Sequence, residues 1–221
     1  MGCGESKQEK KGAGGDKVVA LERGLALHTM HVNDFQKVLK EAAGDREITV
    51  RELGEAFKDY EFGKQLLSET ETTAKRMVSH ECFQARGGDL DWLHLFAIGL
   101  LYTKGKSNEK VEALLATYDT NGDGVLFTQS IKKIITDLVN ISALIVPAIA
   151  HNLTFEEAAE KTDESKDQFV TDSNYEIFQN SVQVDRDRLK AAFGKEVSYL
   201  FDSPKLRAKF PVSLAPAPTQ A

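Results

Sequence analysis

The chain has 221 residues, of which 41% are hydrophobic and 28% are charged, and its formal net charge at pH 7 is -6. The negative charge argues against nucleic acid as a partner, because phosphate binding needs a concentrated positive surface. No run reaches the roughly 18 apolar residues of a membrane-spanning helix, so none is predicted. The two cysteines, Cys3 and Cys82, exclude a disulfide framework and indicate a reducing compartment.

The N-terminus carries a lipidation pattern. Met1-Gly2-Cys3 with Ser6 completes Met-Gly-x-x-x-Ser, which predicts myristate on Gly2 once the initiator Met is removed. Cys3 is then the predicted site of palmitate, because two acyl chains hold a protein to a bilayer stably and one holds it only marginally. The alternative is an unmodified tail that begins with these residues by chance. Residues 1–22, rich in Gly, Lys and Glu, are predicted to form a disordered acylated leader.

A degenerate pair of helix–loop–helix units is predicted over residues 28–104. Each unit has a twelve-residue loop with an apolar residue at position 8, where a short strand would lie under the loop. These residues are Ile48 and Leu90. We refer to residues 41–52 as loop one and to residues 83–94 as loop two.

Residues 119–130, called loop three, carry the most complete pattern, within a second predicted pair over residues 107–182. Oxygen-bearing side chains recur at alternate positions, and Gly124 stands at position 6, where such a loop turns sharply. The flanking segments repeat apolar residues at the i, i+3, i+4, i+7 spacing of helices. The alternative is a plain turn between two helices. The predicted metal ligands are Asp119, Asn121, Asp123, the carbonyl of Val125, and Ser130.

Residues 163–174 form the predicted loop four, with oxygen side chains at positions 1, 3 and 5 and Val170 at position 8. The predicted strand pairing is Ile48 with Leu90 and Leu126 with Val170. Residues 185–202 are predicted to form one more amphipathic helix. Residues 203–221, which are rich in proline, are predicted to be a disordered tail.

Helix, oxygen-rich twelve-residue loop and helix is the layout of an EF-hand, and the chain resembles that superfamily over about residues 28–182. The resemblance implies an all-α fold of two paired lobes, as in four-hand calcium sensors. With its lipidation pattern, the chain is similar to neuronal calcium sensors, calcineurin B-like proteins and acylated flagellar calcium-binding proteins. That similarity implies the cytoplasmic face of a membrane, either the plasma membrane or a flagellar or ciliary one.

The loops differ in their ligands. Calcium takes six to eight oxygens, and a glutamate at position 12 normally gives two of them. Loop three has Ser130 there and Phe127 at position 9, which predicts a weak calcium site or a magnesium site. Loop one keeps Glu52 at position 12, but Arg46 puts a positive charge beside the expected cavity. Loop four has Gln168 in place of the turn glycine.

Two further segments have alternative interpretations. Asp89, Asp91 and His94 of loop two could suggest a transition-metal cluster, but a solvated surface explains them better. The apolar run 138–150 is interpreted as a buried helix and turn between the last two loops. The alternative is part of a groove for a partner helix, because sensor EF-hands open to expose apolar surface.

The predicted function is a membrane-anchored calcium sensor that regulates a partner protein through an apolar groove. The alternative is a calcium-independent EF-hand scaffold tethered by the same lipids. In similar sensors a C-terminal helix can fill the groove until a target displaces it. No acid/base pair, activated nucleophile or phosphate-binding loop is recognisable in the sequence, so no enzyme activity is predicted.

Overall fold

The computed structural model describes residues 13–44, 46–85, 87–159 and 163–210. These residues form a mostly helical, all-α fold that contains one short pair of strands. The predicted lipidation sites Gly2 and Cys3 lie outside the described residues.

The elements follow in chain order. The α-helices are α1 Ala13–Gly24, α2 Val32–Ala43, α3 Val50–Ala56, α4 Glu61–Leu67, α5 Thr73–Val78, α6 Trp92–Tyr102, α7 Ser107–Tyr118, α8 Thr128–Val139, α9 Val146–His151, α10 Phe155–Ala159, α11 Asp163–Phe178, α12 Arg186–Gly194 and α13 Ser203–Arg207. A π-helical turn, Asn140–Ile145, joins α8 to α9, and short 3-10 turns cover Leu27–Thr29, Glu81–Phe83 and Ser198–Phe201. The strands are β1 Val125–Phe127 and β2 Gln183–Asp185.

Loops one and two meet at an antiparallel bridge in the first half of the molecule. Ile48 N–H donates to the Leu90 carbonyl (3.1 Å), and Leu90 N–H donates to the Ile48 carbonyl (2.8 Å). Both side chains are fully buried. These two residues are the ones that the position-8 pattern paired.

Buried aromatic residues fill the first half. Phe57 lies 5.1 Å from Phe35 and 5.7 Å from Phe62 between ring centroids, the latter pair edge to face. A glycine lets α6 approach this cluster, because a Cβ on Gly99 would stand 2.3 Å from the Phe35 ring. A larger residue at position 99 would therefore push α6 away from α2.

In the second half of the molecule, β1 pairs with a different segment from the one predicted. Leu126 of β1 stands opposite Val184 of β2, so the predicted pairing with Val170 is wrong. Residues 163–174, predicted as loop four, lie instead within the continuous helix α11. The chain has Gln168 where a loop of this kind needs a glycine to turn. Val170 and Ile177 are buried on one face of the helix.

The turn comes after α11. Gln179 and Asn180 both adopt left-handed backbone angles (φ 49° and 70°), a conformation that asparagine tolerates well. The chain then forms β2, and Asp185 caps α12 by accepting a hydrogen bond from Arg188 N–H (2.8 Å). The amphipathic helix predicted over 185–202 is therefore α12 followed by a 3-10 turn, and α12 begins directly after β2.

Both predicted disordered ends are folded in part. Residues 13–22 belong to α1, which buries Val18 and Leu21. Residues 203–207 form α13, and Phe210 packs edge-on against Phe169 with a centroid distance of 4.7 Å. Apolar residues that return at helical spacing explain both departures. Residues 1–12 and 211–221 lie outside the described part of the chain.

One long apolar helix runs through the second half. Residues Thr128–His151 form a continuous 24-residue helix that contains an 18-residue window of mean hydropathy 1.7. By length and composition it could cross a membrane, although no single apolar run in the sequence predicted this. In this fold 78% of its apolar window is buried inside the protein. Residues 138–150, interpreted as buried helix and turn, are buried helix throughout, with a π-helical turn just before Pro147.

The two ends of the described part of the chain are joined by a partly buried ion pair. The Arg207 guanidinium of α13 holds both carboxylate oxygens of Glu22 on α1. Ser203 donates to the same carboxylate (2.6 Å) and bonds to Ser142 in the π-helical turn (2.8 Å). The helices α1 and α13 are thereby fastened to each other and to the helix Thr128–His151, which we call the central helix.

Candidate metal-binding loop

The Asp119 carboxylate organises loop three. Asp119 is the residue at which α7 ends. Its Oδ1 accepts hydrogen bonds from the backbone N–H groups of Gly122 (2.8 Å) and Asp123 (3.1 Å), and its Oδ2 accepts one from Gly124 N–H (2.8 Å). Gly122 and Gly124 have φ angles of 72° and 76°, which favour glycine. The loop therefore wraps around the first predicted ligand.

Two more predicted ligands lie in the same network. Asn121 Nδ2 donates to Asp123 Oδ2 (2.8 Å), and Val125 N–H donates to Asp123 Oδ1 (2.9 Å). Val125 itself lies in β1, and Ser130 lies in the first turn of α8, partly buried. The structure thus brings Asp119, Asn121 and Asp123 together and places the other two predicted ligands on the elements that follow.

The donor set of loop three fits a hard cation. Carboxylate, amide and carbonyl oxygens are the ligands that calcium and magnesium prefer. Only two of the predicted ligands are charged, however. Among the described residues, no three His, Cys, Asp or Glu side chains are grouped so that they could hold a metal ion. A cation in loop three would therefore need carbonyls and water to complete its set of ligands.

Phe127 does not face the loop as a position-9 ligand would. It is 56% exposed and lines a cavity of about 620 Å³ between the start of α8 and the end of α11. Tyr175 and Val182, exposed by 56% and 76%, line the same cavity, and the buried ring of Phe178 also borders it. We call this the α8–α11 groove. It carries three of the most exposed large apolar side chains among the described residues, and Phe127 belongs to both the groove and loop three.

Loop one contains an internal cation. Arg46 Nη2 lies 2.9 Å from Oε1 of Glu52, the residue at position 12, and Arg46 Nη1 donates to the Glu47 carbonyl (3.0 Å). Glu52 Oε2 also accepts from Thr49 N–H (2.9 Å). The hydrogen bond from Arg46, followed by those from Thr49, lowers the pKa of Glu52 to about 2. The acid that would bind a metal in loop one thus binds a guanidinium.

An arginine also follows the second strand pair. If Val184 is counted as position 8, position 12 is Arg188, where an acid would be needed. Arg188 Nε donates to the Ile177 carbonyl (3.1 Å), and its Nη2 donates to the Glu176 carbonyl at the end of α11. The connection 179–185 is also two residues shorter than the corresponding 119–127. Sequence reasoning missed this unit, although the alternation Val182-Gln183-Val184 before a capping aspartate could have identified it.

Loop two turns through two glycines, and its described residues, 83–85 and 87–94, form no metal-ligand set. Gly87 and Gly88 have positive φ angles, and Phe83 at position 1 is fully buried. Asp91 caps α6 by accepting a hydrogen bond from Leu93 N–H (2.8 Å). The sequence predicted that His94 lies on a solvated surface, and this prediction is wrong. The imidazole is partly buried and lies against a buried carboxylate of α8. The partner, Asp137, is 43 positions away in the sequence and no spacing rule connects the two.

Comparison with protein-family models, with curated proteins and with solved structures finds no match to this chain. The likeness to EF-hands therefore rests on the residues of loops one and three, on the bridge between Ile48 and Leu90 and on the pairing of β1 with β2. The features of the chain that bear on its function are loop three, the α8–α11 groove and the N-terminal pattern.

Proposed function

We propose that the chain is a membrane-tethered EF-hand protein that binds a divalent cation in loop three and regulates a partner protein. The observation that carries the proposal is that the Asp119 carboxylate accepts hydrogen bonds from three backbone N–H groups of loop three. The loop is therefore already folded around this proposed metal ligand when no ion is bound. A loop organised in this way loses less conformational freedom when it binds an ion.

Calcium is the proposed ion, and magnesium is the alternative. Asp119, Asn121 and Asp123 would supply side-chain oxygens, Val125 its carbonyl, and Ser130 a hydroxyl. Binding must break the hydrogen bond between Asn121 and Asp123, which lowers affinity further. We expect a dissociation constant on the order of 10⁻⁴ M, at the weak end of such loops.

The α8–α11 groove is the proposed site for the partner. Its exposed apolar residues, Phe127, Tyr175 and Val182, suit the apolar face of an amphipathic helix. Phe127 is contiguous with the ligand Val125 through β1, so an ion that shifts β1 also shifts one wall of the groove. This contiguity supports regulation of the partner, in addition to its capture.

The N-terminal pattern supplies the proposed location. Myristate on Gly2 and palmitate on Cys3 would hold the protein at the cytoplasmic face of a membrane. The twelve residues that carry both groups lead directly into α1, which is joined to α13 by Glu22 and Arg207. The Cys3→Ser variant should leave membranes after cell fractionation, because one acyl chain remains. A variant that stays fully membrane-bound would contradict the two-chain anchor.

A calcium-independent scaffold is the second candidate, and Arg46 and Arg188 favour it. Two of the four units carry their own positive charge where an ion or its ligand would be, so those units need no calcium to keep their folded form. In this case loop three would be a structural turn and the groove would be open at all calcium levels.

Calorimetric titration with Ca²⁺ and with Mg²⁺ separates the two candidates. The wild-type chain should release or absorb heat with a one-site isotherm, and Asp123→Asn should abolish it. Asp172→Asn on the exposed side of α11 is the matched control, because it removes the same charge outside loop three. Absence of heat, and of any change in Trp92 fluorescence, up to about 10 mM of either ion would favour the scaffold.

A further inference from the structure

His94 joins the two halves of the molecule through two carboxylates. Its Nε2 lies 3.2 Å from Asp137 Oδ1 on α8, and its Nδ1 lies 3.6 Å from Asp91 Oδ2 at the start of α6. Asp137 is buried, with only 5% of its surface exposed. The imidazole therefore stands between a helix of the first half and a helix of the second.

The arrangement favours a charged imidazole. His94 Nε2 donates to Asp137, whereas Nδ1 has no hydrogen-bond partner among the described residues, so its interaction with Asp91 at 3.6 Å is electrostatic and is attractive only when the ring is protonated. Asp137 Oδ2 has no hydrogen-bond partner among the described residues. The Asp137 carboxylate thus depends on His94 for compensation of its charge, and a buried carboxylate without a partner is strongly destabilising.

The other groups that face His94 do not replace it. The hydrogen bond to Asp137 raises the pKa of His94, while burial of the ring and the nearby Lys133 of α8 act in the opposite direction. Tyr118, on α7, also faces this cluster, and burial raises the pKa of its phenol well above the usual range, so it stays neutral. Asp91 and Asp137 are the two anions, and Lys133 is the one further cation that the described residues place here.

The cluster touches both helices that flank loop three. Tyr118 immediately precedes the ligand Asp119, and Asp137 lies in the last turn of α8, the helix that leaves the loop. Any movement of α8 away from α6 must separate Asp137 from His94.

We propose that His94 is a proton-operated latch: its imidazolium fastens α6 to α8, and loss of the proton releases the helix that leaves loop three. A group whose pKa is raised by folding stabilises the folded arrangement fully below its unfolded value, about 6.5. That contribution is lost as the pH rises through the folded pKa. The latch is therefore closed in acid and opens toward alkaline pH.

The calcium consequence rests on the proposed function. If loop three binds calcium and α8 must move for it to do so, calcium competes with the closed latch. Affinity should then rise several-fold from pH 6 to pH 8.5, beyond any direct competition of protons for the loop carboxylates.

The latch itself is tested without calcium, by NMR titration of the histidine ring protons in the full chain. His94, assigned by its absence in His94→Gln, should titrate above 6.5 in the wild type, and Asp137→Asn should lower its pKa, because the hydrogen bond to the carboxylate is what raises it. Asp34→Asn, on the exposed face of α2, should leave it unchanged. A His94 that titrates at or below 6.5, or is indifferent to Asp137→Asn, overturns the proposal.

Release of α8 is tested by hydrogen exchange on the same proteins. Wild type and His94→Gln are compared at equal pH, so that the intrinsic pH dependence of exchange cancels. At pH 6 the amides in the last turn of α8 should exchange several-fold more slowly in the wild type, and at pH 8.5 the two proteins should match. Equal rates at both values overturn the latch.

Calcium titrations of the same pair complete the experiment. The wild type should gain affinity from pH 6 to 8.5, whereas His94→Gln should be tighter at pH 6 and nearly flat. His28→Gln, a histidine away from α8, is the control and should follow the wild type. Parallel curves for wild type and His94→Gln overturn the coupling, while absence of calcium binding in every protein contradicts the proposed function and leaves the NMR and exchange results to decide the latch.

Discussion

Loop one and loop three differ in the residue at position 6. As a result, they also differ in the group that binds a carboxylate of the loop. In loop three Gly124 has no side chain, and the space beside Asp119 is reached by backbone N–H groups. In loop one Arg46 reaches across to Glu52 and binds it. One residue thus separates loop three, in which backbone N–H groups bind the Asp119 carboxylate, from loop one, in which a guanidinium of the chain binds the Glu52 carboxylate.

The apolar residue beneath each loop should contribute about equally to the stability of the fold. Its replacement by alanine is the change with the largest expected effect. Ile48 and Leu126 are both fully buried under their loops. Replacing either by alanine should lower the free energy of unfolding by about 2–5 kcal/mol, because each leaves a cavity. Chemical denaturation measures the change. Val182→Ala, at an exposed site, should stay within about 0.5 kcal/mol of the wild type; a similar loss there would refute the shared-core interpretation.

Completing loop three should sharpen the difference between the loops. Ser130→Glu supplies the acid that calcium loops carry at position 12, and calorimetry should show calcium affinity higher by about tenfold to a hundredfold. Gln129→Glu adds the same charge one residue earlier, on the exposed side of α8, and should change affinity by less than about threefold. Equal gains for both variants would mean that net charge, rather than coordination, governs the loop.

Removing the Arg46 guanidinium should partly abolish the difference in calcium binding between loop one and loop three. Arg46→Gly gives loop one a position-6 glycine and frees Glu52, so a second, weaker calcium ion should bind, seen as stoichiometry rising from one toward two. Arg51→Gly, which removes an exposed arginine of α3, is the control and should keep one site. No added site in Arg46→Gly would show that Glu52 alone cannot hold the ion.

The smallest effect is a shift in one titration. Glu52 has a lowered pKa in the folded protein, so the contribution of its ion pair is present above about pH 4.5 and is lost as the pH falls through about 2. Carboxyl NMR of the full chain should place the midpoint near 2. Arg46→Gln should move that midpoint upward toward the ordinary value, whereas a midpoint that stays put would assign the shift to Thr49 alone.

Local patterns predicted those parts of the molecule that depend on neighbouring residues. The pairing of Ile48 with Leu90 followed from the position-8 rule, and the turn at Gly124 followed from the sharp turn required at position 6. The unfavourable charge of Arg46 was visible in the sequence as well. These features are set within about a dozen residues, where periodicity and turn chemistry are informative.

The wrong predictions concern segments for which tertiary packing decides between two possible structures. Residues 163–174 have loop-like oxygen spacing, yet with Gln168 in place of glycine the segment continues as helix, and Val170 packs as a helical core residue. The contact between His94 and Asp137 depends on how two distant helices meet. No local rule contains that information, and the same holds for the union of Glu22 with Arg207.

The Glu22–Arg207 ion pair has a mechanical consequence. A pull on the N-terminus enters the fold at α1 and crosses directly into α13 and the central helix, where Ser203 meets Ser142. Loop three leads into this same helix through α8, so tension on the proposed N-terminal anchor would reach the helix behind the loop through side chains as well as along the backbone.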